Sequence, residues 1–513
     1  MTDTTRQKGC VALVGAGPGD EGLLTLRGRE WLEKAEVIVY DHLVNWNMMR
    51  FADENAETIY AGKKEGHATL SQDEINALLI SHAKQGKTVV RLKGGDPFLF
   101  GRGGEETLAL KEAGIDFTVV PGVTSPFGVA AYAGIPLTHR DFSSTVTIIT
   151  GSNEKNQQDV HIDWEKIASR AGTLVFLMGA RKLALICEKL MHFGKAPETP
   201  IAVIQWGTTA RQKTWTGTLK SIVATAMQEK IAPPALTIIG EVVGMKPLIE
   251  WYEALPLFGK TVVITRAENQ SDSMVHLLHE KGAEPVSFPV IQTIAPEDWS
   301  PLDEALSRLS EYDGLIFTSA NGVKFFMQRL KEKKQDIRNL KGVRIYTIGP
   351  KTEHALAAFG MQVDVVPEDF VAESLLESLG QESVKGKRFL IPRATVAREI
   401  LPDQLRDRGA QVEVVPAYRT ILPKRKNEDF VRRLKDGAIS VITFTSSSTV
   451  TNFLDLLDAE SRPYLDNVTF ACIGPITAKT AKERGLKVEI VPKQYTVDAL
   501  VQAIEEHFSG KTG

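Results

Sequence analysis

The chain has 513 residues, of which 43% are hydrophobic and 24% are charged, a balance typical of a globular protein with more than one core. Its formal charge of −3 argues against nucleic acid as the main partner, because such binding leaves a basic stripe. No apolar run approaches the roughly 18 residues of a membrane span, and the opening MTDTTRQKG lacks the apolar core of a signal peptide.

Strand-like runs alternate with helix-like segments along the chain, and this alternation predicts an α/β fold. The strand-like runs are 11–15, 88–92, 145–150, 173–178, 261–265 and 441–445. They are apolar at nearly every position, which is typical of strands covered on both faces. Two prolines mark 245–260 as a junction near Pro256. A cluster of Gly and Pro at 121–128 predicts a further division of the first half. We therefore expect a domain over 9–250, with subdomains 9–122 and 123–250, and a second domain over 257–510.

Two glycine-rich loops follow strand-like runs of the first half. GAGPGD (15–20) follows the first run, and KGGDPFLFGRGGEE (93–106) follows 88–92. Glycine backbone lets a ligand approach closely. Pro18 and the Asp at the sixth position exclude a dinucleotide fingerprint. The small residues of 119–140 leave room for a flat ring, so these loops predict a small-molecule site.

The second half repeats itself. GKTVVITR at Gly259 recurs as GKRFLIPR at Gly386, 127 residues later, and FTSANGV at Phe317 recurs as FTSSSTV at Phe444. IGPKT and IGPIT form a further pair. We interpret these blocks as two duplicated α/β lobes, with or without exchanged segments, and we expect a ligand site in the cleft between them. A duplicated scaffold with no site at the seam is the alternative.

The remaining motifs point to known families. Together with YDHL (40–43) and AGKKEGH (61–67), the glycine loops resemble uroporphyrinogen-III C-methyltransferase, a tetrapyrrole methylase, over about 9–250. The paired blocks of 257–510 resemble uroporphyrinogen-III synthase. The resemblance implies a two-subdomain tetrapyrrole methylase fold followed by two flavodoxin-like lobes.

The same resemblance implies a bifunctional enzyme. Its synthase half closes hydroxymethylbilane to uroporphyrinogen III with inversion of ring D and needs no cofactor. Its methylase half uses S-adenosylmethionine, leaving S-adenosylhomocysteine, to methylate that product twice to precorrin-2, on the sirohaem and cobalamin routes. One alternative is a methylase acting on a later corrinoid, and another is a second half that binds tetrapyrrole without catalysis. No third unit carries a dinucleotide fingerprint, so we do not expect the oxidation and iron insertion that complete sirohaem.

The resemblance also implies the partners. We expect tetrapyrrole substrates, no nucleic acid, no membrane, and a homodimer formed through the first half. Cys10, Cys187 and Cys472 form no CxxC pair and no disulfide framework, which predicts a reducing cytoplasm. No His or Cys cluster has metal-ligand spacing, so we expect no metal.

In the methylase half, the resemblance assigns donor binding and catalysis to particular residues. The positions matching the family's donor-binding residues are Pro18, Gly94, Gly95, Asp96, Leu99, Thr124, Ser125, Met178 and Gly207. Asp41 matches the proposed proton acceptor and Lys63 the proposed proton donor. A helix cap and a surface lysine are the alternatives for these two. Lys93 and Arg102 are the cations that we expect to meet substrate carboxylates.

In the synthase half, Tyr418 matches the tyrosine credited with assisting departure of the substrate hydroxyl, and an ordinary strand-end aromatic is the alternative. The expected contacts for carboxylates and pyrroles are Thr318, Ser319, Asn321, Thr445, Ser446, Ser447, Gly474 and Thr477. Arg266 and Arg393 end equivalent strands. They either bind carboxylates or hold the lobes together.

Overall fold

The predicted alternation of strands and helices is confirmed. The computed structural model describes residues 9–53, 55–62, 70–151, 162–169, 172–267, 271–367, 372–380, 384–395, 400–423 and 428–510. Each predicted strand-like run forms a strand, with ends within one residue of the prediction. Across these ranges, no helix has the length and apolar character needed to cross a bilayer.

The first sheet is parallel throughout. Its strands are β1 (Cys10–Gly15), β2 (Val37–Tyr40), β3 (Glu57–Tyr60), β4 (Thr88–Lys93) and β5 (Asp116–Val120), in the order β3-β2-β4-β1-β5. Alternate residues of β1 join different cores: Val11 and Leu13 pack on one face, and Ala12 and Val14 on the other. Both faces are therefore covered, as the unbroken apolar runs predicted.

The second sheet is mixed. It contains β6 (Val146–Thr150), β7 (Thr173–Leu177), β8 (Pro200–Gln205), β9 (Lys213–Thr218) and β10 (Ala235–Ile239), in the order β6-β7-β10-β8-β9. Only β6 and β7 pair in parallel among these strands. The helices of the first half are α1 (Leu26–Lys34), α2 (Gln72–Lys84), α3 (Gly103–Glu112), α4 (Ser125–Tyr132), α5 (Trp164–Ser169), α6 (Leu183–His192), α7 (Ile222–Gln228) and α8 (Lys246–Ile249).

Strands of the second half form two further sheets. They are β11 (Thr261–Ile264), β12 (Glu284–Ser287), β13 (Gln292–Ile294), β14 (Gly314–Phe317), β15 (Arg344–Thr347), β16 (Arg388–Ala394), β17 (Gln411–Ile421), β18 (Val441–Phe444), β19 (Thr469–Cys472) and β20 (Val488–Ile490). The helices are α9 (Asp272–Glu280), α10 (Ser300–Ser307), α11 (Ala320–Glu332), α12 (Pro350–Ala357), α13 (Ala372–Gly380), α14 (Ile400–Asp407), α15 (Glu428–Lys435), α16 (Ser447–Leu456), α17 (Pro475–Glu483) and α18 (Val497–Ser509).

The two lobes exchange strands between the repeats. One sheet has the order β12-β11-β18-β19-β20 and the other has the order β13-β17-β16-β14-β15. In the first lobe, β11 and β12 come from the first repeat and β18 to β20 from the second. In the second lobe, β16 and β17 come from the second repeat and β14 and β15 from the first. The first lobe has the flavodoxin-like order, in which strands 1 and 3, here β11 and β18, are neighbours. The second lobe has the same arrangement when β16 is counted as its strand 1 and β14 as its strand 3, and β13 joins its edge in the antiparallel direction.

The two halves of the chain touch through a side chain of α9 and a backbone carbonyl of β12. His279 Nε2 lies 2.9 Å from Oε1 of Glu21, a buried carboxylate that directly follows GAGPGD. Asn47 Nδ2 donates to the carbonyl oxygen of Pro285 at 2.9 Å. The first lobe of the second half thus rests on the subdomain that carries the first glycine loop.

Candidate functional site

The candidate site of the first half lies at the carboxyl edge of the first sheet. Because its strands are parallel, the segments that follow β1, β2, β4 and β5 all leave the sheet at this edge. Asp41 follows β2, Gly94 follows β4 and Gly122 follows β5. The fold therefore brings together the three glycine-rich segments and the predicted proton acceptor.

Four glycines allow these segments to cross at close range. Gly17 and Gly95 form an antiparallel bridge, with Gly95 N donating to Gly17 O at 2.7 Å. A Cβ on Gly122 would lie 2.3 Å from Gly95 O, and one on Gly15 would lie 2.5 Å from Gly122 N. No side chain fits at such distances, so glycine is required where the backbones cross.

Asp96 holds this crossing in place. Its Oδ1 accepts hydrogen bonds from Phe98 N at 2.8 Å and Leu99 N at 3.2 Å, and its Oδ2 accepts from Gly122 N at 3.0 Å. Its side chain therefore ties the second glycine loop to the third. The family resemblance assigned Asp96 to binding of the methyl donor. That role stays a prediction beside this observed one.

The loop that follows β8 of the second sheet lies against the first glycine loop. Asp20 N donates to Thr208 Oγ1 at 3.1 Å, and Tyr132 Oη donates to Asp20 Oδ2 at 2.7 Å. Burial, and then the charge of Asp20, raise the pKa of Tyr132. Gly207 precedes Thr208, and a Cβ there would lie 2.4 Å from Val129. The loop carrying Pro18 is thus fastened to the loop carrying Gly207.

The remaining predicted donor positions lie at strand and helix ends. Thr124 is buried and caps α4, which begins at Ser125. Met178 follows β7 with a φ of 54° and is 49% exposed. An unbranched residue held in the left-handed region and open to solvent is unusual, and such strain often accompanies a binding site. The donor-binding role of all these positions stays a prediction.

A buried network of charges lies beneath Asp41. Arg91, on the central strand β4, donates from Nη2 to Asp41 Oδ1 at 2.5 Å and from Nε to Glu106 Oε1 at 3.1 Å. Lys93 Nζ lies 2.9 Å from Glu106 Oε1 and 4.0 Å from Asp41 Oδ2. Arg91, Lys93 and Glu106 are all buried, whereas the Asp41 side chain is 30% exposed. The network therefore opens to solvent at Asp41.

The surroundings of the network shift the pKa values of Arg91 and Lys93. Burial alone would lower the pKa of Arg91, but the carboxylates of Asp41 and Glu106 raise it overall. Burial lowers the pKa of Lys93 and the Arg91 guanidinium adds to this effect, against the opposing pull of Glu106 and Asp41.

In the structure, the two cations predicted to bind substrate both pair with glutamates of the protein. We expected Lys93 to reach substrate carboxylates, but its side chain is buried and its ammonium is bound to Glu106. Arg102 is partly exposed, has a φ of 58° and pairs with Glu105 at 2.6 Å. Substrate binding by either stays a prediction. Lys63, the predicted proton donor, lies outside the described residues.

The sequence reasoning missed Arg91 as a buried site residue and missed Glu106 altogether. A signal for Arg91 was present in the sequence. It interrupts the apolar run TVVRL, and a charge in a strand covered on both faces must find a buried partner. Glu106 belongs to the second glycine-rich motif, but nothing in the local sequence pattern separates it from the exposed Glu105.

The candidate site of the second half is divided between the two lobes. In each flavodoxin-like sheet, strands 1 and 3 flank the point where the strand order reverses. Arg266 follows β11 and Thr445 follows β18 at this point of the first lobe. Arg393 ends β16 and Thr318 follows β14 at the matching point of the second lobe. The predicted residues therefore occupy equivalent edges.

Helix N-termini line both edges. Ser319 caps α11 by accepting from Gly322 N, and Ser446 caps α16 by accepting from Thr449 N. Gly349 and Gly474 begin α12 and α17 with extended backbone. The predicted contact residues Asn321, Ser447 and Thr477 lie within the first turns of these helices. Backbone N–H groups at helix starts favour carboxylates.

Tyr418 is paired rather than isolated. Its hydroxyl lies 3.0 Å from Ser319 Oγ, and its ring stacks on Phe325 with centroids 5.9 Å apart. The tyrosine and the serine are 99 residues apart in the sequence, so the fold alone joins them. The ring is almost fully buried, and the predicted catalytic role stays a prediction.

The two arginines differ in burial. Arg393 is buried, with 6% exposure, and Arg266 is partly buried. Burial lowers the pKa of Arg266. Either setting suits carboxylate binding or lobe cohesion, so both interpretations of these arginines stay open.

Two family models match different parts of the chain. Residues 10–223 match the family described as Tetrapyrrole (Corrin/Porphyrin) Methylases, and residues 272–502 match Uroporphyrinogen-III synthase HemD. The chain is 36% identical to the Porphyrin biosynthesis protein HemD of Ruminiclostridium josui over 500 residues, which cover 98% of each chain.

Two further proteins are similar over part of the chain. The Uroporphyrinogen-III C-methyltransferase of Bacillus subtilis is 41% identical over 334 residues, covering 65% of this chain and 68% of that protein. A crystal structure of Uroporphyrin-III C-methyl transferase from Thermus thermophilus, complexed with S-adenyl homocysteine, is 40% identical. It covers 46% of this chain and 99% of its own, with a TM-score of 0.40.

Proposed function

Because the chain belongs to the tetrapyrrole methylases through its first half and to the uroporphyrinogen-III synthases through its second, we propose that it makes uroporphyrinogen III and then methylates it. The second half closes hydroxymethylbilane with inversion of ring D and needs no cofactor. The first half methylates the product twice to precorrin-2, with S-adenosylmethionine as the methyl donor. The product feeds the sirohaem and cobalamin branches.

The crossing of Gly15, Gly95 and Gly122 is the observation that carries this proposal. It fits a nucleoside donor, because Gly94 and Gly95 stay partly exposed and carry no side chain that would keep a ligand away from the backbone. When bound, the donor supplies an electrophilic methyl group. The residues proposed to hold it are Pro18, Gly94, Gly95, Asp96, Leu99, Thr124, Ser125, Met178 and Gly207.

The protein contributes positioning and proton transfer to the methylation. Holding the pyrrole carbon in line with the methyl group supplies up to roughly 7–11 kcal/mol. Asp41 takes the proton that the methylated ring must lose, and its contact with Arg91 holds the carboxylate in place for that task. Lys63 is the proposed proton donor. Arg102, and Lys93 from beneath, attract the carboxylates of the substrate.

In the second half, Tyr418 donates a proton to the departing hydroxyl of the bilane. The capping hydroxyls and helix N-termini of the two lobes hold its carboxylates, so that the substituted ring carbon attacks before spontaneous closure gives the other isomer. Neutral donors suit this task, because they bind several carboxylates of a flexible substrate without fixing a single pairing.

The proposal also covers the domain bounds, the oligomeric state and the cellular compartment of the enzyme. The methylase domain spans 9–250, with subdomains 9–122 and 123–250, and the synthase domain spans 257–510. Leu26, Leu108 and Phe127 of the first half are each more than 55% exposed, which supports a homodimer through this half. The three cysteines are free thiols, as a cytoplasmic protein requires.

The test uses the full chain with hydroxymethylbilane, with and without S-adenosylmethionine. Without the donor, chromatography should show uroporphyrinogen of isomer III. With the donor, mass spectrometry should show two added methyl groups. Isomer I alone would refute the synthase assignment. An unmethylated ring, or a preference for a more methylated corrinoid, would refute the methylase assignment.

A further inference from the structure

Glu106 on α3 is a fully buried carboxylate with an unusual set of partners. Its Oε1 lies within 3.2 Å of three donors, namely Arg91 Nε, Lys93 Nζ and Gln72 Nε2. Burying a carboxylate is costly unless cations compensate for the lost hydration. Here both compensating cations also face Asp41, so Glu106 and Asp41 compete for the same pair of positive charges.

The Arg91 guanidinium is fixed at three points. Its Nε donates to Glu106, its Nη1 donates to Val39 O at 3.3 Å, and its Nη2 donates to Asp41. A planar guanidinium with three occupied edges cannot rotate without breaking a hydrogen bond. The Glu106 contact therefore helps to aim Nη2 at Asp41.

Lys93 is held on the Glu106 side of the network. Its ammonium lies 2.9 Å from Glu106 Oε1 and 4.0 Å from Asp41 Oδ2. A rotation of the flexible lysine side chain is enough to turn the longer distance into a hydrogen bond. Asp41 thus has one cation in direct contact and a second cation kept at a distance by Glu106.

We propose that Glu106 is a positioning residue for the methylase reaction, which holds Lys93 away from Asp41 and orients Arg91 toward it. The inference rests on the proposed role of Asp41. A carboxylate bound by two cations is a weaker base than one bound by a single cation. By retaining Lys93, Glu106 leaves Asp41 with one cation in direct contact, so that Asp41 stays basic enough to accept a proton from carbon.

Among the described residues, the other polar groups near the network are either uncharged or exposed. On the side of β3, Tyr60 and His42 form a hydrogen bond of 3.2 Å with each other. Burial, and then the charge of Asp41, raise the pKa of Tyr60, so it stays neutral. From α2, Gln72 contributes an uncharged amide, and on α3 itself Glu105 and Glu112 are exposed.

The test replaces Glu106 with glutamine in the full chain. Glu106→Gln keeps an oxygen for Arg91 Nε but removes the charge that retains Lys93. We expect methyl transfer at saturating substrates to fall by about tenfold, and the acid limb of its pH profile to move to lower pH. Calorimetric affinity for S-adenosylhomocysteine and the rate of ring closure should not change. Glu112→Gln, an exposed change on the same helix, should leave all four measurements unchanged.

A double variant distinguishes this role from simple destabilisation. Lys93→Met combined with Glu106→Gln removes the displaced cation and balances the buried charge. It should fold even where the single variant does not, and its acid limb should return to the wild-type position. A carboxyl ¹³C titration of the ligand-free chain, labelled on aspartate and assigned with Asp41→Asn, should show the same shift and the same return.

Two outcomes overturn the inference. One is that the acid limb of the pH profile of Glu106→Gln stays at the wild-type position. The other is that the acid limb of the double variant stays displaced from that position. Failure of the proposed function is recognised separately, because Asp41→Asn would then methylate at the wild-type rate whatever the state of Glu106.

Discussion

The carboxyl edge of the first sheet and the edges of the two lobes treat charge in opposite ways. Beneath Asp41, three charged side chains are each less than 5% exposed and form one fixed network. At the lobe edges, capping serines and helix N-termini lie beside Arg266 in one lobe and Arg393 in the other. A proton acceptor for a carbon-bound proton needs a fixed electrostatic setting. A site that folds a flexible polyacid benefits from many weak neutral donors.

The largest effect should come from removing the base of the charged network. Asp41→Asn keeps the shape of the side chain but cannot accept the proton, and general-base catalysis contributes about 10²–10⁴-fold. We expect methyl transfer to fall by that factor. S-adenosylhomocysteine binding and ring closure should persist, as measured by calorimetry and isomer analysis. A wild-type methylation rate would show that Asp41 is not the base. The charged network at the edge of the first sheet would then have no catalytic purpose that the lobe edges lack.

The glycine crossing should be the next most sensitive feature. Gly122→Ala places a Cβ 2.3 Å from Gly95 O, and overpacking of this kind costs about 1–3 kcal/mol. We expect S-adenosylhomocysteine affinity to fall by at least tenfold, with ring closure unaffected. Gly104→Ala is the matched control, because nothing lies within 4 Å of a Cβ at that position. Equal losses in both variants would show that the crossing does not shape the donor site.

At the lobe edge, Tyr418→Phe tests a single hydroxyl. Because many weak contacts share the work there, we expect ring closure to slow by only about tenfold, equivalent to about 1.4 kcal/mol. Methylation of supplied uroporphyrinogen III should stay normal. Tyr464→Phe, in an exposed segment of the same half, provides the control. An unchanged rate in Tyr418→Phe would make this residue a packing aromatic.

The smallest effect concerns the contact between the halves. His279→Ala leaves the buried Glu21 carboxylate with Arg50 at 3.4 Å as its remaining ionic partner, so we expect a loss of about 1 kcal/mol in unfolding free energy. His276→Ala changes a 75% exposed histidine on the same helix and should cost less than about 0.5 kcal/mol. Denaturant unfolding measures both. Equal values would mean that the contact between His279 and Glu21 contributes nothing measurable to the stability of the chain.

The sequence predicted most of what depends on local pattern. Apolar runs ending in glycine predicted β1 and β4 together with the loops that follow them, because strand burial and glycine backbone freedom both act over a few residues. The meeting of those loops also followed once the strands were taken as parallel, since their carboxyl ends share an edge.

What the sequence could not predict depends on partners distant along the chain. Glu106 resembles its exposed neighbour until the fold places Arg91 and Lys93 beside it. The sequence also did not reveal that Tyr418 pairs with Ser319. Nor did it show that β11 and β16 each join a lobe built mainly from the opposite repeat. Asp96 shows a related limit, because its residue type suits both a ligand contact and the observed clamp on Gly122 N.

The exchange of strands between the repeats affects how the newly made protein can mature. The first half has all of its strands once the ribosome passes β10, so it can fold while translation continues. The lobe that starts with β11 must wait for β18 to β20, which emerge more than 170 residues later. Its exposed strands need protection during that interval, and a premature stop after β17 would yield a finished methylase domain carrying an open, aggregation-prone sheet edge.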